Sequence, residues 1–217
     1  MRNKLLIPFI LFSSLFASTD SIKVEIIKNS INDTTRNFTM NLEYPICNIK
    51  NAIFINKVMK NYIDSLKIDF INFCESRQDD EYFMNKNFPS YFDISIEFNY
   101  TDQFISYLIQ NESYVNASPH PNHDSYVFNY KFGESKLLKP NDFICAKDSI
   151  VWKLLQSDCL ECNKIHFNFN GVNINNCNVF IGKDGLYFYF SDYALCGYAP
   201  ELTKFRIPKE NIFKFKN

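Results

Sequence analysis

Asn37-Phe-Thr-Met-Asn-Leu-Glu-Tyr44, then Pro45, then Ile55, Met59, Tyr62, Leu66, Phe70 and Phe73 form the stretch on which the fold turns. Its first part alternates polar and apolar residues, the period of a half-buried strand. Pro45 cannot donate to a strand ladder and is expected to stop it. The period then changes. Apolar residues recur at steps of three and four, which lines one face of a helix. That helix is predicted from about Asn51 to Glu75, with Asn51 as its N-cap. At about 1.5 Å per residue it is roughly 37 Å long. An apolar face of that length has to lie on a sheet or on another helix.

Outward from this stretch the chain is mostly strands. Ile22 to Ile27 is β-branched and alternating. Tyr91 to Tyr100 places Phe92, Ile94, Ile96 and Phe98 on one face, and Phe104 to Ile109 and Tyr126 to Phe132 follow as partners. Gly185 to Ser191 reads as a strand, with short candidates at Lys204 to Ile207 and Asn211 to Phe215. In Gly185 to Ser191, Leu186, Phe188 and Phe190 share the better core face, opposite Tyr187 and Tyr189. Ser76 to Pro89 reads as a solvated loop, Asn116 to Asp124 as a turn-rich connection, and Asn168 to Asn178 as polar and turn-like. A loop at Pro140-Asn141-Asp142 precedes a short helix at Ser149 to Gln156. Strands that do not alternate regularly with helices indicate an α+β class. The expected architecture is mostly antiparallel sheet packed on one long helix, with a short second helix.

The N-terminus has a leader's layout: Arg2 and Lys4, an apolar run from Leu5 to Phe16, then small Ala17 and Ser18. This predicts a signal peptide over 1–17, cleaved after Ala17. The run is well short of the ~20 residues that span a bilayer, and no later run reaches that length. The expected location is periplasmic or secreted, with no stable membrane insertion after cleavage. Residues 18–217 suit one domain, or two lobes (about 18–110 and 111–217) sharing a core. Net charge is −1, and loss of Arg2 and Lys4 with the leader takes it to about −3. No basic cluster exists, so nucleic acid is not an expected partner.

Seven cysteines, Cys47, Cys74, Cys145, Cys159, Cys162, Cys177 and Cys196, all follow the leader. Export makes disulfides the default, and an odd number leaves at least one thiol free or paired between chains. Cys159, Cys162 and Cys177 are the disulfide candidates. Cys74, late in the long helix among apolar neighbours, is the candidate buried free thiol. Asn-x-Ser/Thr occurs at Asn32, Asn37, Asn99, Asn111 and Asn116, a set that an asparagine-rich chain produces by chance.

Three segments carry a resemblance. They are Leu42-Glu-Tyr-Pro45 with Asn56; Ser118-Pro-His120-Pro-Asn122 with Phe128-Asn-Tyr130 and Leu138 to Phe143; and Gly185 to Phe190 with Tyr193, Tyr198-Ala199, Glu201 and Ile207-Pro208. Together they resemble the extracytoplasmic domain family shared by the lysozyme-receptor anti-sigma factor RsiV and the N-terminal part of the peptidoglycan deacetylase PdaC. Ser118-Pro119 departs from the family's Gly-Ala before the histidine. No sigma-binding segment or deacetylase domain is recognisable, so signalling and deacetylation do not carry over. The resemblance implies binding of a lysozyme-like protein or of peptidoglycan glycan.

On that basis the candidate binding residues are His120, Pro121 and Asn122 in one loop, and Tyr193, Tyr198, Pro200 and Glu201 in another. Loops on a packed scaffold are where partners are met, and tyrosine combines apolar area with a hydroxyl. His120-x-x-His123-Asp124 has ligand chemistry but lacks a fourth ligand, and His120 capping its own turn is the simpler reading. No nucleophile-elbow, metalloprotease or phosphate-loop pattern occurs. The expected function is an exported binding protein, not an enzyme, with no cofactor and no metal. The alternative is an enzyme, or an enzyme accessory domain, acting on peptidoglycan.

Overall fold

A computed structural model of the chain describes residues 22–158 except 82, 86, 87 and 117, residues 173–190, and residues 203–213 except 212. The signal-peptide reading lies outside them. Strands β1 (Val24–Asp33), β2 (Phe38–Cys47), β3 (Ser90–Tyr100), β4 (Phe104–Tyr114), β5 (Asn122–Lys131) and β6 (Leu137–Leu138) form one sheet in that order. All neighbours are antiparallel except β2 and β3, which run parallel. A parallel pair needs a crossover, and α1 (Ile53–Ser76) supplies it. The fold is therefore α+β and mostly antiparallel, with α1 on one face of the large sheet.

Alternation explains that face. Phe38, Met40 and Leu42 of β2, Phe92 and Ile94 of β3, and Ile105, Tyr107 and Ile109 of β4 are all buried in one cluster with α1. From the helix, Ile55, Met59, Ile63, Phe70 and Cys74 are buried. The helical face is thus rotated slightly from the predicted one. Ile63 is fully buried where Tyr62 was expected, and Phe73 is 41 % exposed. Tyr62 lies at the edge of the cluster, against Tyr126 and Phe128. Asn51 is not the N-cap. It sits in a 3-10 turn over Lys50–Ala52 that leads into the helix, and Ala52 takes the cap position without a side-chain bond.

Pro45 does not stop β2, which continues to Cys47 with Pro45 opposite Ile26. Pairing of β2 with β3 ends at Leu42 and Ile94, so beyond that point β2 has a ladder on one side only and tolerates a missing donor. Glu43 occupies the released space, and its Oε2 accepts from the Ile96 N–H at 2.8 Å.

A second sheet contains β7 (Asn178–Ile181), β8 (Gly185–Phe190) and β9 (Thr203–Pro208). Val179, Ile181, Leu186, Phe188, Phe190, Phe205 and Ile207 pack with Phe143 and with Val151 and Leu155 of α3 (Asp148–Asp158). Phe143 ends a single helical turn, α2 (Pro140–Phe143), where a loop was expected. Where a short strand was expected at Asn211 to Phe215, a 3-10 turn over Lys209–Asn211 precedes an isolated bridge from Phe213 to Ile144. Gly185 is required by close approach, because a Cβ there would meet the Ile207 carbonyl oxygen at 2.9 Å. No helix of the described residues is long and apolar enough to cross a membrane.

Candidate functional site

The face of the large sheet opposite α1 divides in two. Over β4 and β5 it is covered by the small sheet, whose free edge strand β7 is satisfied by side chains rather than by another strand. Asn129 donates to the Val179 carbonyl at 2.8 Å, and Asn99 donates to the Ile181 carbonyl at 2.9 Å. The Ile181 N–H donates to Ser106 Oγ at 3.1 Å, and Ser106 in turn donates to Asn129 Oδ1 at 2.6 Å. Leu108, Phe180 and Tyr189 fill the angle between the sheets. Tyr189 is thus buried, although the opposite face of its strand was the better core candidate.

Among the described residues nothing covers the rest of that face. It forms a cleft of about 540 Å3 whose floor includes Lys28, Asn41, Glu43, Asp93, Ser95, Gln110, Glu112 and His123. Strand register brings these together: Lys28 lies opposite Glu43, Asp93 opposite Glu112, and Glu112 opposite His123. The carboxylates are held in place. Asn41 Nδ2 donates to Asp93 at 2.8 Å, Lys28 Nζ is 3.0 Å from Glu43, and Tyr91 donates to Glu112 at 2.5 Å. His123 Nδ1 is 3.8 Å from the other Glu112 oxygen. Burial, then the Glu112 carboxylate, pushes the Tyr91 hydroxyl up to about 12, so it stays a donor at neutral pH. The result is a polar, preorganised surface with three carboxylates and one lysine, able to attract and orient a cationic ligand.

Solved structures provide the comparison. A DUF3298 family member from Bacteroides fragilis matches with a TM-score of 0.54 at 16 % identity, over 90 % of this chain and 94 % of that one. A DUF3298 family protein from Pseudomonas aeruginosa PAO1 matches with a TM-score of 0.59 at 12 % identity, over 90 % and 95 %. The fold is that of DUF3298 proteins. At such identities the likeness carries the fold alone. No family profile and no curated protein matches the chain.

Within this DUF3298-type fold, the residues singled out from sequence fall as follows. His120 is exposed in the turn before β5, its Nδ1 2.9 Å from the Pro121 carbonyl oxygen, a contact that needs Nδ1 to carry the hydrogen. The turn is shorter than expected, because β5 already begins at Asn122. Asn122 lines a separate cleft of about 500 Å3 with Phe73, Arg77 and Ser118. His123, one residue on, lies on the opposite face and reaches the acidic cleft. Tyr193, Tyr198, Pro200 and Glu201 lie outside the described residues, as do Cys159, Cys162 and His166. The proposed bridge to Cys177 therefore involves residues outside the description; Cys177 Sγ itself is 3.7 Å from the Asn173 carbonyl oxygen. Cys74 is a buried free thiol, as expected, and Cys47 and Cys145 are free as well.

Among the described residues no group of three or more His, Cys, Asp or Glu side chains is placed to hold a metal. Of the asparagines in Asn-x-Ser/Thr, Asn37, Asn111 and Asn116 are buried and Asn99 is engaged with β7. Sequence reasoning missed Tyr91, Asp93, Glu112, Asn41 and Glu43. Their only signal was alternation: they occupy the outward positions of strands whose inward positions are apolar.

Proposed function

We propose that the chain is an exported binding module, without catalysis of its own, that holds a lysozyme-like protein in the open cleft of the large sheet. The observation that supports this reading is the fixed set of carboxylates, Glu43, Asp93 and Glu112, lining a cleft that no other described residue covers. Such a surface complements a basic protein better than it does a neutral glycan. The resemblance to the extracytoplasmic domain of RsiV and PdaC points to the same ligand class. The loop of His120 and Pro121 feeds directly into His123 at one end of the cleft. β8 ends at Phe190 beside the pair Asn178–Tyr189, and Asn178 donates to the Ser125 carbonyl at 2.8 Å. β8 therefore ends on the same side of the molecule as His123. The test is retention of the mature protein on immobilised lysozyme beside retention on insoluble peptidoglycan. Retention on lysozyme is expected. Retention on peptidoglycan alone transfers the reading to a glycan ligand, and retention on neither removes it.

A further inference from the structure

A second concave surface lies on the other side of the large sheet, between β1, the end of β2 and the first four turns of α1. It is a groove of about 630 Å3 lined chiefly by Ile27, Tyr44, Pro45 and Ile46 below, with Asn29 beside them, and by Asn56, Lys57, Lys60, Asp64 and Lys67 along the helix rim. Two of its apolar side chains are unusually open for a packed sheet, Ile27 at 46 % and Ile46 at 41 % exposure. β1 is the outermost strand of its sheet, with no neighbour among the described residues on its far side. The groove thus has an apolar floor, an open backbone edge and a charged rim, the three parts used when an extended peptide adds to a sheet.

Charge decides the occupant. The rim carries three lysines against one carboxylate, in a chain whose net charge is −1. That carboxylate, Asp64, is already engaged by Lys60 and by the Tyr44 hydroxyl at 3.0 Å. Lys57 and Lys67 also line the groove, Lys67 near enough to Asp64 to help hold its carboxyl down, so the rim keeps an excess of positive charge. The chain's own leader carries Arg2 and Lys4 and no acidic residue, so it meets the rim with like charge. A second copy joined edge to edge through β1 brings two lysine rows together. We infer that the groove docks an extended acidic segment of a partner protein, about five to six residues long, added along β1 with alternate apolar residues on Ile27 and Ile46. This surface is separate from the acidic cleft and takes a ligand of opposite charge.

The experiment pans a displayed library of random ten-residue peptides on the mature protein, with counter-selection on the Lys57→Glu/Lys67→Glu variant. Recovered sequences are expected to alternate acidic and apolar residues. Fluorescein-labelled synthetic copies should bind the wild type at least tenfold tighter than that variant, and more weakly as salt rises. The milder Lys57→Gln/Lys67→Gln variant should fall between the two, and circular dichroism should show both variants folded. Neither pair should change retention on lysozyme. Recovery of no peptide above an unrelated control protein, of peptides without acidic excess, or of peptides that bind all three proteins equally overturns the inference.

Discussion

Asn129 of β5 donates its amide to the Val179 carbonyl of β7 at 2.8 Å while accepting from Ser106 at 2.6 Å. This side chain therefore stands, with Asn99 and Ser106, where a further strand would otherwise pair with β7, and it ties the small sheet to the large one. Both bonds are buried, where an unmade partner costs more than a made one gains.

Asn129→Leu should therefore lower stability by about 2–3 kcal/mol, since it strands the Val179 carbonyl and leaves the Ser106 O–H without its acceptor, although Ser106 Oγ still accepts from the Ile181 N–H. Urea unfolding measures this directly. A loss below about 0.5 kcal/mol would show that the two sheets do not depend on this contact.

Asn56 in α1 bonds the backbone of Cys47 in both directions, accepting from its N–H at 3.0 Å and donating to its C=O at 2.8 Å. This closes the end of β2 after its ladder with β3 has stopped, and it gives a physical reason for an asparagine at this helical position. Asn56→Ala should cost about 2 kcal/mol and Asn56→Asp somewhat less, because the acceptor half survives. Equal stability of both variants with the wild type is the contrary result.

The helix and most strands were legible in the sequence because each is set by local period. Ile55, Met59 and Phe70 repeat at helical spacing, and Phe92, Ile94, Ile96 and Phe98 at strand spacing. What was not legible depends on distant partners. β2 runs through Pro45 because β3 has already left it. β7 was hidden because Val179, Phe180 and Ile181 are too few to show a period and follow a polar stretch. The cleft was invisible because Glu43, Asp93 and Glu112 come from three strands, and only register makes them neighbours.

The cysteines should separate by burial. Cys74 is fully buried, and burial pushes its thiol up to about 12; burial also raises that of Cys47. Cys145 is exposed and free. Since the thiolate is the reactive form, iodoacetamide at pH 8 should modify Cys145 in the native protein, and Cys47 and Cys74 only in denaturant. Mass mapping of native-state modification at Cys74 at the rate of Cys145 would contradict this packing.

Asp64 has a carboxyl held below its usual range, chiefly by the Lys60 ammonium and further by the Tyr44 hydroxyl. A depressed folded-state pKa contributes stability above the unfolded value of about 3.9 and loses it as pH falls through the folded value. Because the side chain is 34 % exposed, the contribution is on the surface scale, about 0.5 kcal/mol. Asp64→Asn should therefore be less stable than the wild type at pH 7, with the gap closing below about pH 4. A gap that stays constant down to pH 2 would show that ionisation plays no part.

The most direct measurement of the central claim is the affinity of the mature protein for lysozyme, compared with that of the Asp93→Asn/Glu112→Gln variant, across a salt series. Removing two cleft carboxylates on an open sheet face should leave the unfolding midpoint nearly unchanged. It should weaken lysozyme binding by about tenfold or more at low salt, with a flatter salt dependence. Undiminished binding by the folded variant, or no measurable binding by the wild type, would contradict the assignment of the cleft.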